Sequence, residues 1–491
     1  MRLDFASPVD SDSVLDVCVV CPRGNALPGM TIAAIDGVEL PELEVEQVST
    51  WDDGSIMLAR VCGPWAHVAM VQHHLTLRSG RTTPLPYIPD VKALWDGIAL
   101  FVRVVDVAGV EWRVDVTPTQ AQQVLKAVFV GSGPAARREW STVVPLVGIG
   151  GSHPRLEASL RWTIYSRFGG ASCEISIENV RTDVAPKAVP LSLVEVGIPG
   201  SIPLSVPACT SYPGTRAIFR LWHGRNVPDL IVIPDAAQWA AIGLAPQLEE
   251  QRVPAAFGDG LLNKARSDKS RRSPLPVGPD GSPFHHFPLF PSMGASGDRW
   301  ESGHLPSWVL ACVNGDGQSA RTMARAADLN GSAAFGVHWR AAGSKDLGIH
   351  YGHAFWKKVP YLGDPAAKNP ADANVAHLPA LGVWTWLTTG RRAAADELAC
   401  WALQAVRDNY PNNGKLQNLG QRREAWAMRQ IAIAAVSLPD DSPHRAGLRD
   451  CLDRTAAAWE TVPLTHPLGI FGHGVQFSSG RDSSLFTKFE S

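Results

Sequence analysis

The 491-residue chain has little charge to spare: 45 Lys and Arg stand against 47 Asp and Glu, a formal net charge of -2. It therefore lacks the basic stripe with which proteins track a phosphate backbone, and nucleic acid is not an expected partner. Long apolar runs are missing too. No stretch of about 18 uncharged apolar residues is present to cross a bilayer, so no membrane insertion is expected. The opening MRLDFASPVDSDSVLDV carries Asp4 and no apolar segment of the length a secretory signal needs, which predicts no signal peptide. The eight cysteines, Cys18, Cys21, Cys62, Cys173, Cys209, Cys312, Cys400 and Cys451, lack the dense spacing of a disulfide framework and are expected to be reduced. Cys18 and Cys21 form a Cys-x-x-Cys. Val19 and Val20 set it in an apolar strand-like run, and no second pair follows at zinc spacing, so it reads as buried strand thiols. No metal and no cofactor is expected.

What the chain does have is material for burial: 45% hydrophobic residues and 17 Trp. Its length implies about three folded units. Up to about Arg81, short apolar runs alternate with turn signals at Pro28-Gly29, Asp36-Gly37 and Asp52-Asp53-Gly54, a β-rich pattern. Longer strands follow, predicted at Ala99 to Val107, Gln123 to Val130, Leu156 to Tyr165, Ala171 to Ile177 and Ala217 to Trp222. With Pro-Gly turns at Pro199-Gly200 and Pro213-Gly214, they argue a β-sandwich. From Leu261 to Asp298 the composition turns to Pro, Gly, Ser and basic residues, as in a linker or long loop.

After Arg299 the hydrophobic period changes from two to about 3.6. Helices are predicted at His304 to Val313, Gln318 to Leu329, Asn374 to Leu387, Ala393 to Asn409, Arg422 to Val436 and Pro443 to Thr461. Joined by short turns they make antiparallel hairpins, the unit of an α/α toroid. A closed toroid of six hairpins needs twelve helices, so this one is incomplete. An open edge would expose apolar helix faces, so either the C-terminal tail and the long loop wrap it or other protein subunits cover it. The segment between Asn330 and Pro370, containing HWRAAGSKDLGIHYGHAFW, is long for a connection and is a functional-loop candidate. The expected architecture is multidomain β + α: a small β-barrel over residues 1–85, a β-sandwich over 86–256, a linker over 257–298 and a partial toroid over 299–491.

Four segments in this order carry a family likeness: STWDDGSIMLARV, LFPSMGASGDRWESGHLPSWV, DANVAHLPALGVWTWLTTGRR and RREAWAMRQIAIAA. Together they resemble the exo-rhamnogalacturonan lyase-like family, which has an N-terminal RIFT-type barrel, a central β-sandwich and a C-terminal α/α toroid. Asp52 stands where the family's strand-turn signature has Pro, Asn374 where its His helix has Asp, and Arg423 and Glu424 where Gly and Gln are usual. The resemblance implies a carbohydrate-active protein whose partner is an acidic poly- or oligosaccharide.

Cleaving a uronic-acid polymer by β-elimination needs a cation on the carboxylate, a base for the C5 proton and an acid for the leaving oxygen. Ten of the 15 His follow Gly281, and Arg, His and Tyr gather in the last domain. Arg299, Arg340 and Arg422 are candidates to bind acidic sugar, with His338 beside them. His377, or His350 with Tyr351, would serve as base and acid. His377 also fits a bland role, packing behind the N-capping Asp372 or Asn374. His350 and His353 have pair spacing but no nearby carboxylate triad, so no metal site is expected. Trp384 and Trp426 offer faces for stacking on sugar rings, although at helical spacing most of the Trp residues belong to the core. Hydrolysis would instead require opposed carboxylic acids, of which Asp372 with Glu424 is the candidate pair. A non-catalytic alternative is a glycan-binding virion component, such as a phage tail or baseplate protein, on the same scaffold. The expected location is the cytoplasm or an assembled virion.

Overall fold

The computed structural model describes residues 2–5, 13–40, 43–65, 73–80, 99–117, 128–130, 138–165, 170–181, 183–184, 187–224, 230–244, 305–314, 336–340, 347, 381–408 and 421–460. Over these residues the protein is β-rich, with helices towards the C-terminus.

The first unit comprises β1 (Arg2–Phe5), β2 (Ser13–Val20), β3 (Thr31–Ile35), β4 (Val38–Glu39), β5 (Glu44–Thr50), β6 (Ile56–Trp65) and β7 (His73–Ser79). β2, β6 and β5 form one sheet, and β1, β7, β3 and β4 belong to a second. Period two explains their packing. Leu15, Val17 and Val19 of β2 point into a core shared with Ala33, Ile35, Val61 and Leu75. Cys18 and Val20 point the other way, into the core of the helical unit. The tip between β3 and β4 is Asp36-Gly37, with φ of 51° and 85°, both in the left-handed region that two-residue hairpins use.

A single hydrogen-bonded sheet follows, made of β8 (Leu100–Asp106), β9 (Glu111–Val116), β10 (Val128–Val130), β11 (Arg138–Gly148), β12 (Gly151–Tyr165), β13 (Gly170–Asn179), β14 (Val189–Gly197), β15 (Leu204–Ser211) and β16 (Thr215–Gly224). The order is β15-β14-β8-β9-β11-β12-β13-β16, with β10 on β11. The sheet curls until its edge strands β15 and β16 approach each other, and Asn179 Nδ2, at the end of β13 beside β16, donates to the Ser211 carbonyl of β15 at 3.1 Å. Val206 and Cys209 of β15 share one interior with Ala217 and Phe219 of β16. Leu156, Ala158, Leu160, Trp162 and Ile164 alternate along β12 into that interior, while Glu157 and Arg161 lie on the outer face. The chain then returns to the first unit, where β17 (Leu230–Ile233) pairs antiparallel with β1.

A short helix, α1 (Ala236–Ala241), starts at Asp235, whose carboxylate accepts from the Ala237 and Gln238 amides. The sequence reading missed it. The remaining helices are α2 (Ser307–Asn314), α3 (Val383–Thr389), α4 (Arg392–Asp408), α5 (Gln421–Ser437) and α6 (Arg445–Glu460). The last three match the predicted spans within a few residues. The run predicted from Asn374 to Leu387 is interrupted: Gly382 has φ of 81°, and α3 begins only at Val383. Residues 374–380 and the predicted helix Gln318 to Leu329 lie outside the described residues. Trp308, Trp384, Trp386, Leu398, Trp401, Ile431, Leu448 and Cys451 form one core with Cys18, Val20, Met57 and Leu58 of the first unit. The helices therefore pack on the first β unit as well as on one another.

Candidate functional site

Of the candidate site residues, His338 and Arg340 are brought together with the outer face of the curled sheet and with α4. They sit on the short segment 336–340, which lies along the end of β13 and the entry to β16. The Arg340 amide donates to the Val180 carbonyl at 2.8 Å, and the His338 amide donates to the Gly214 carbonyl at 2.9 Å. Gly214 has φ of 75°, and a Cβ there would lie 2.8 Å from the Trp339 ring and 2.9 Å from Gly336. Only glycine admits the segment this closely.

His338 is fully buried. Its Nδ1 lies 3.0 Å from the Gly214 carbonyl and its Nε2 2.7 Å from Glu397 Oε2. The other oxygen of Glu397 accepts from Trp401 Nε1 at 2.8 Å, one turn along α4. Arg216 of β16, equally buried, lies 3.2 Å from Glu397 and 3.4 Å from Asp396, and donates to the Ala393 carbonyl at 2.5 Å. Burial alone would weaken its charge, but Glu397 and Asp396 outweigh that and hold Arg216 above the usual guanidinium range. Arg161 of β12 adds an ion pair to Asp396 at 2.6 Å. Arg340 pairs with Glu178 at 2.6 Å and Glu157 at 3.2 Å; burial raises the Glu157 carboxyl despite that guanidinium and Arg181.

A second polar cluster joins the first unit to the sheet and to the start of α4. Asp16, Cys18, Glu46 and Arg60 share one face through the pairings Cys18↔Arg60 and Glu46↔Arg60. Arg60 grips Asp16 through two nitrogens at 2.5 and 2.6 Å, pairs with Glu139 at 2.9 Å, and donates to the Gly390 carbonyl at 3.4 Å. The Tyr165 hydroxyl donates to Asp16. Burial among these carboxylates pushes Glu46 up to about 7, against the pull of Arg60.

The other candidates fall elsewhere. Trp384 is buried in the helical core, its ring 6.3 Å from that of Trp239. Trp426 is half-buried on α5, with the Arg429 guanidinium 4.9 Å from its ring centroid; burial lowers Arg429 to about 9. Arg422 occupies the first turn of α5, and its side chain lies outside the described residues, as do Arg299, His350, Tyr351, His377, Asp372 and the side chain of Glu424. Arg161, Arg216, Glu178, Asp396 and Glu397 were missed by the sequence reading. On strands, charge alternating with apolar residues reads as a solvated face, and here that face is covered by helices.

Cys18 and Cys21 are both buried with their thiols pushed up by desolvation, Cys21 to about 12, which makes them poor nucleophiles. Among the described residues no group of three or more His, Cys, Asp or Glu is placed to hold a metal ion. None of the described helices is long and apolar enough to cross a membrane. Neither a known protein family nor a curated protein matches the chain.

Chemically, the described clusters position rather than react. Every polar atom of the His338 ring is engaged, and the guanidinium groups of Arg216 and Arg340 face carboxylates of the same chain. Removing one partner of such a pair costs more than the pair contributes, because a buried charge is left uncompensated.

Proposed function

We propose that the protein is a carbohydrate-active protein of the exo-rhamnogalacturonan lyase-like kind, which binds an acidic glycan and cleaves it by β-elimination. In this reading the β-rich part divides into a small barrel and a β-sandwich, and the helices are an incomplete α/α toroid. The supporting observation is that motif segments far apart in sequence meet in space. Arg60, in the strand after the Trp51-Asp52-Asp53-Gly54 turn, donates to the carbonyl of Gly390, near the end of the Asp372–Arg392 motif. Thr50, at the start of that turn, is held by Asp440, in the connection between α5 and α6, and by Arg445, the first residue of α6. Separate short motifs gain weight when they converge on one junction.

The reaction takes the C5 proton of a uronate onto His377 or His350. The C5–H electrons form the C4=C5 double bond, the C4–O bond breaks, and Tyr351 protonates the leaving oxygen. Arg299 and Arg422 neutralise the sugar carboxylate. His338 and Arg340, already engaged by Glu397, Glu178 and Glu157, hold the chain just ahead of His350 in sequence instead of contacting sugar.

The test is absorbance of the unsaturated uronide during incubation with a panel of acidic polysaccharides, using wild type, His377→Ala and Tyr351→Phe. A rise lost in both variants supports elimination. A glycan-binding virion component is the second reading, favoured by the exposed Val107, Val110, Val147 and Ile149 on two neighbouring hairpins of the sheet, which suit contact with other subunits. Binding without any rise in absorbance supports that reading.

A further inference from the structure

We propose that His338 is a buried imidazolium, and that its second proton latches segment 336–340 and the start of α4 to the curled sheet. The inference is independent of whether the protein acts on a glycan.

It follows from counting donors. A carbonyl oxygen has lone pairs and no hydrogen, so the 3.0 Å contact between Nδ1 and Gly214 requires a proton on Nδ1. Glu397 receives hydrogen bonds from the Trp401 indole, which can only donate, and from Arg216. Those donors favour an ionised carboxylate, which also has only lone pairs to offer. The 2.7 Å contact between Nε2 and Glu397 then requires a proton on Nε2. A ring with both protons is cationic.

The surroundings fit that charge. Asp396 and Glu397 approach from α4, Glu157 from β12, and Glu174 and Glu178 from β13. Facing them are Arg161 of β12, Arg216 of β16 and Arg340 of the segment itself, with Arg181 and Asp183 paired at the rim. Cys400 also lies near Arg216, its thiol kept protonated by burial. Removing the second proton from His338 would set a bare nitrogen against either the Gly214 carbonyl or the Glu397 carboxylate. Both contacts are repulsive while Glu397 stays ionised, so loss of the proton weakens the junction.

The test uses the full chain with ¹⁵N-labelled His, assigning the His338 ring by its loss in His338→Asn. At neutral pH both ring nitrogens should carry hydrogen. A neutral ring with one bare nitrogen overturns the proposal. Glu397→Gln should leave the ring neutral, with Nδ1 donating to Gly214 and Nε2 accepting from the amide; a ring still doubly protonated there also overturns it. Hydrogen exchange supplies the functional readout. At neutral pH, residues 336–340 and the first turns of α4 should exchange several-fold faster in Glu397→Gln than in wild type, because the Nε2–Glu397 contact is lost as an ion pair. Equal exchange in the two proteins means that the latch is wrong. If Glu397→Gln does not fold, the wild-type ring spectrum still decides.

Discussion

The guanidinium of Arg445 donates to the backbone carbonyl of Thr50 at 2.6 Å, across 395 residues of sequence. The same side chain reaches the carbonyls of Ala435 and Val436 at 3.1 and 3.2 Å, in the last turn of α5. It also pairs with Asp440, which accepts from the Thr50 amide. Helix C-termini leave carbonyls without intrahelical partners. Arg445 satisfies two of them and uses its remaining donor to fasten the first β unit.

Replacing this side chain should therefore loosen two units together. Arg445→Met is expected to cost about 2 to 3 kcal/mol, since one buried and two half-buried carbonyls lose a charged donor. Arg449→Met should cost less, because Arg449 duplicates contacts to Thr50 and Ala435 at longer distances, 3.2 and 3.3 Å. Urea unfolding followed by Trp fluorescence checks both. Equal midpoints for Arg445→Met and wild type would refute the anchoring role.

At the other junction, Asp16→Asn should be more damaging than its size suggests. Arg60 and Asp16 are both nearly inaccessible, with side-chain exposures of 7% and 6%. Removing the carboxylate leaves a buried guanidinium short of one counter-charge, at a cost of about 3 kcal/mol. An Asp16→Asn/Arg60→Met double variant should recover part of that loss. Strict additivity of the two single losses would contradict direct coupling.

Glu46 gives a pH dependence of defined sign. Its carboxyl titrates at about 7 in the folded protein, above its ordinary 4.5, because burial disfavours the anion. The folded state therefore holds the proton more tightly than the unfolded one. Stability should fall as pH rises from about 4.5 to about 7 and level off above that. Glu46→Gln removes this dependence and should be more stable than wild type at pH 8, by on the order of 2 kcal/mol after allowing for solvent screening. Matched thermal melts at about pH 5 and pH 8 decide it; a variant no better at pH 8 would sink the assignment.

Gly390→Ala tests how closely α3 approaches the first β unit. Gly390 ends α3 in the left-handed region, φ 62°, with its amide donating to the Trp386 carbonyl. An added Cβ would lie 2.7 Å from Cys18 Sγ. The backbone cost alone is about 1 to 2 kcal/mol, and the clash adds to it. A melting point within a degree or so of wild type would show that the contact is not tight.

Local patterns carried part of this far. The helices at α4, α5 and α6 were legible because Ala-rich, amphipathic sequence repeats at 3.6 residues over several turns. The strand at β12 was legible because its apolar residues alternate. The break at Gly382 was not, since an isolated glycine in an apolar helical pattern signals nothing until a neighbour, here the Ala394 carbonyl, approaches where a Cβ would be. His338 and Arg340 were singled out as residue types suited to acidic sugar. Their partners Glu397 and Glu178 were not, because a carboxylate on a helix or on a strand reads as a solvated face.

The sequence by itself determined the near-neutral charge, the absence of long apolar spans, the order of β-rich then helical segments, and the element spans wherever periodicity is strong. Only the tertiary structure decided that strands 100–224 close towards a single curled sheet, that β17 returns to β1, and that Arg60, Arg216, Arg340 and Arg445 each bridge segments distant in the chain. The reason is physical: periodicity is a local property of a few turns, while an ion pair or a strand pairing depends on which outward faces meet. That meeting is settled by burial of the whole chain at once.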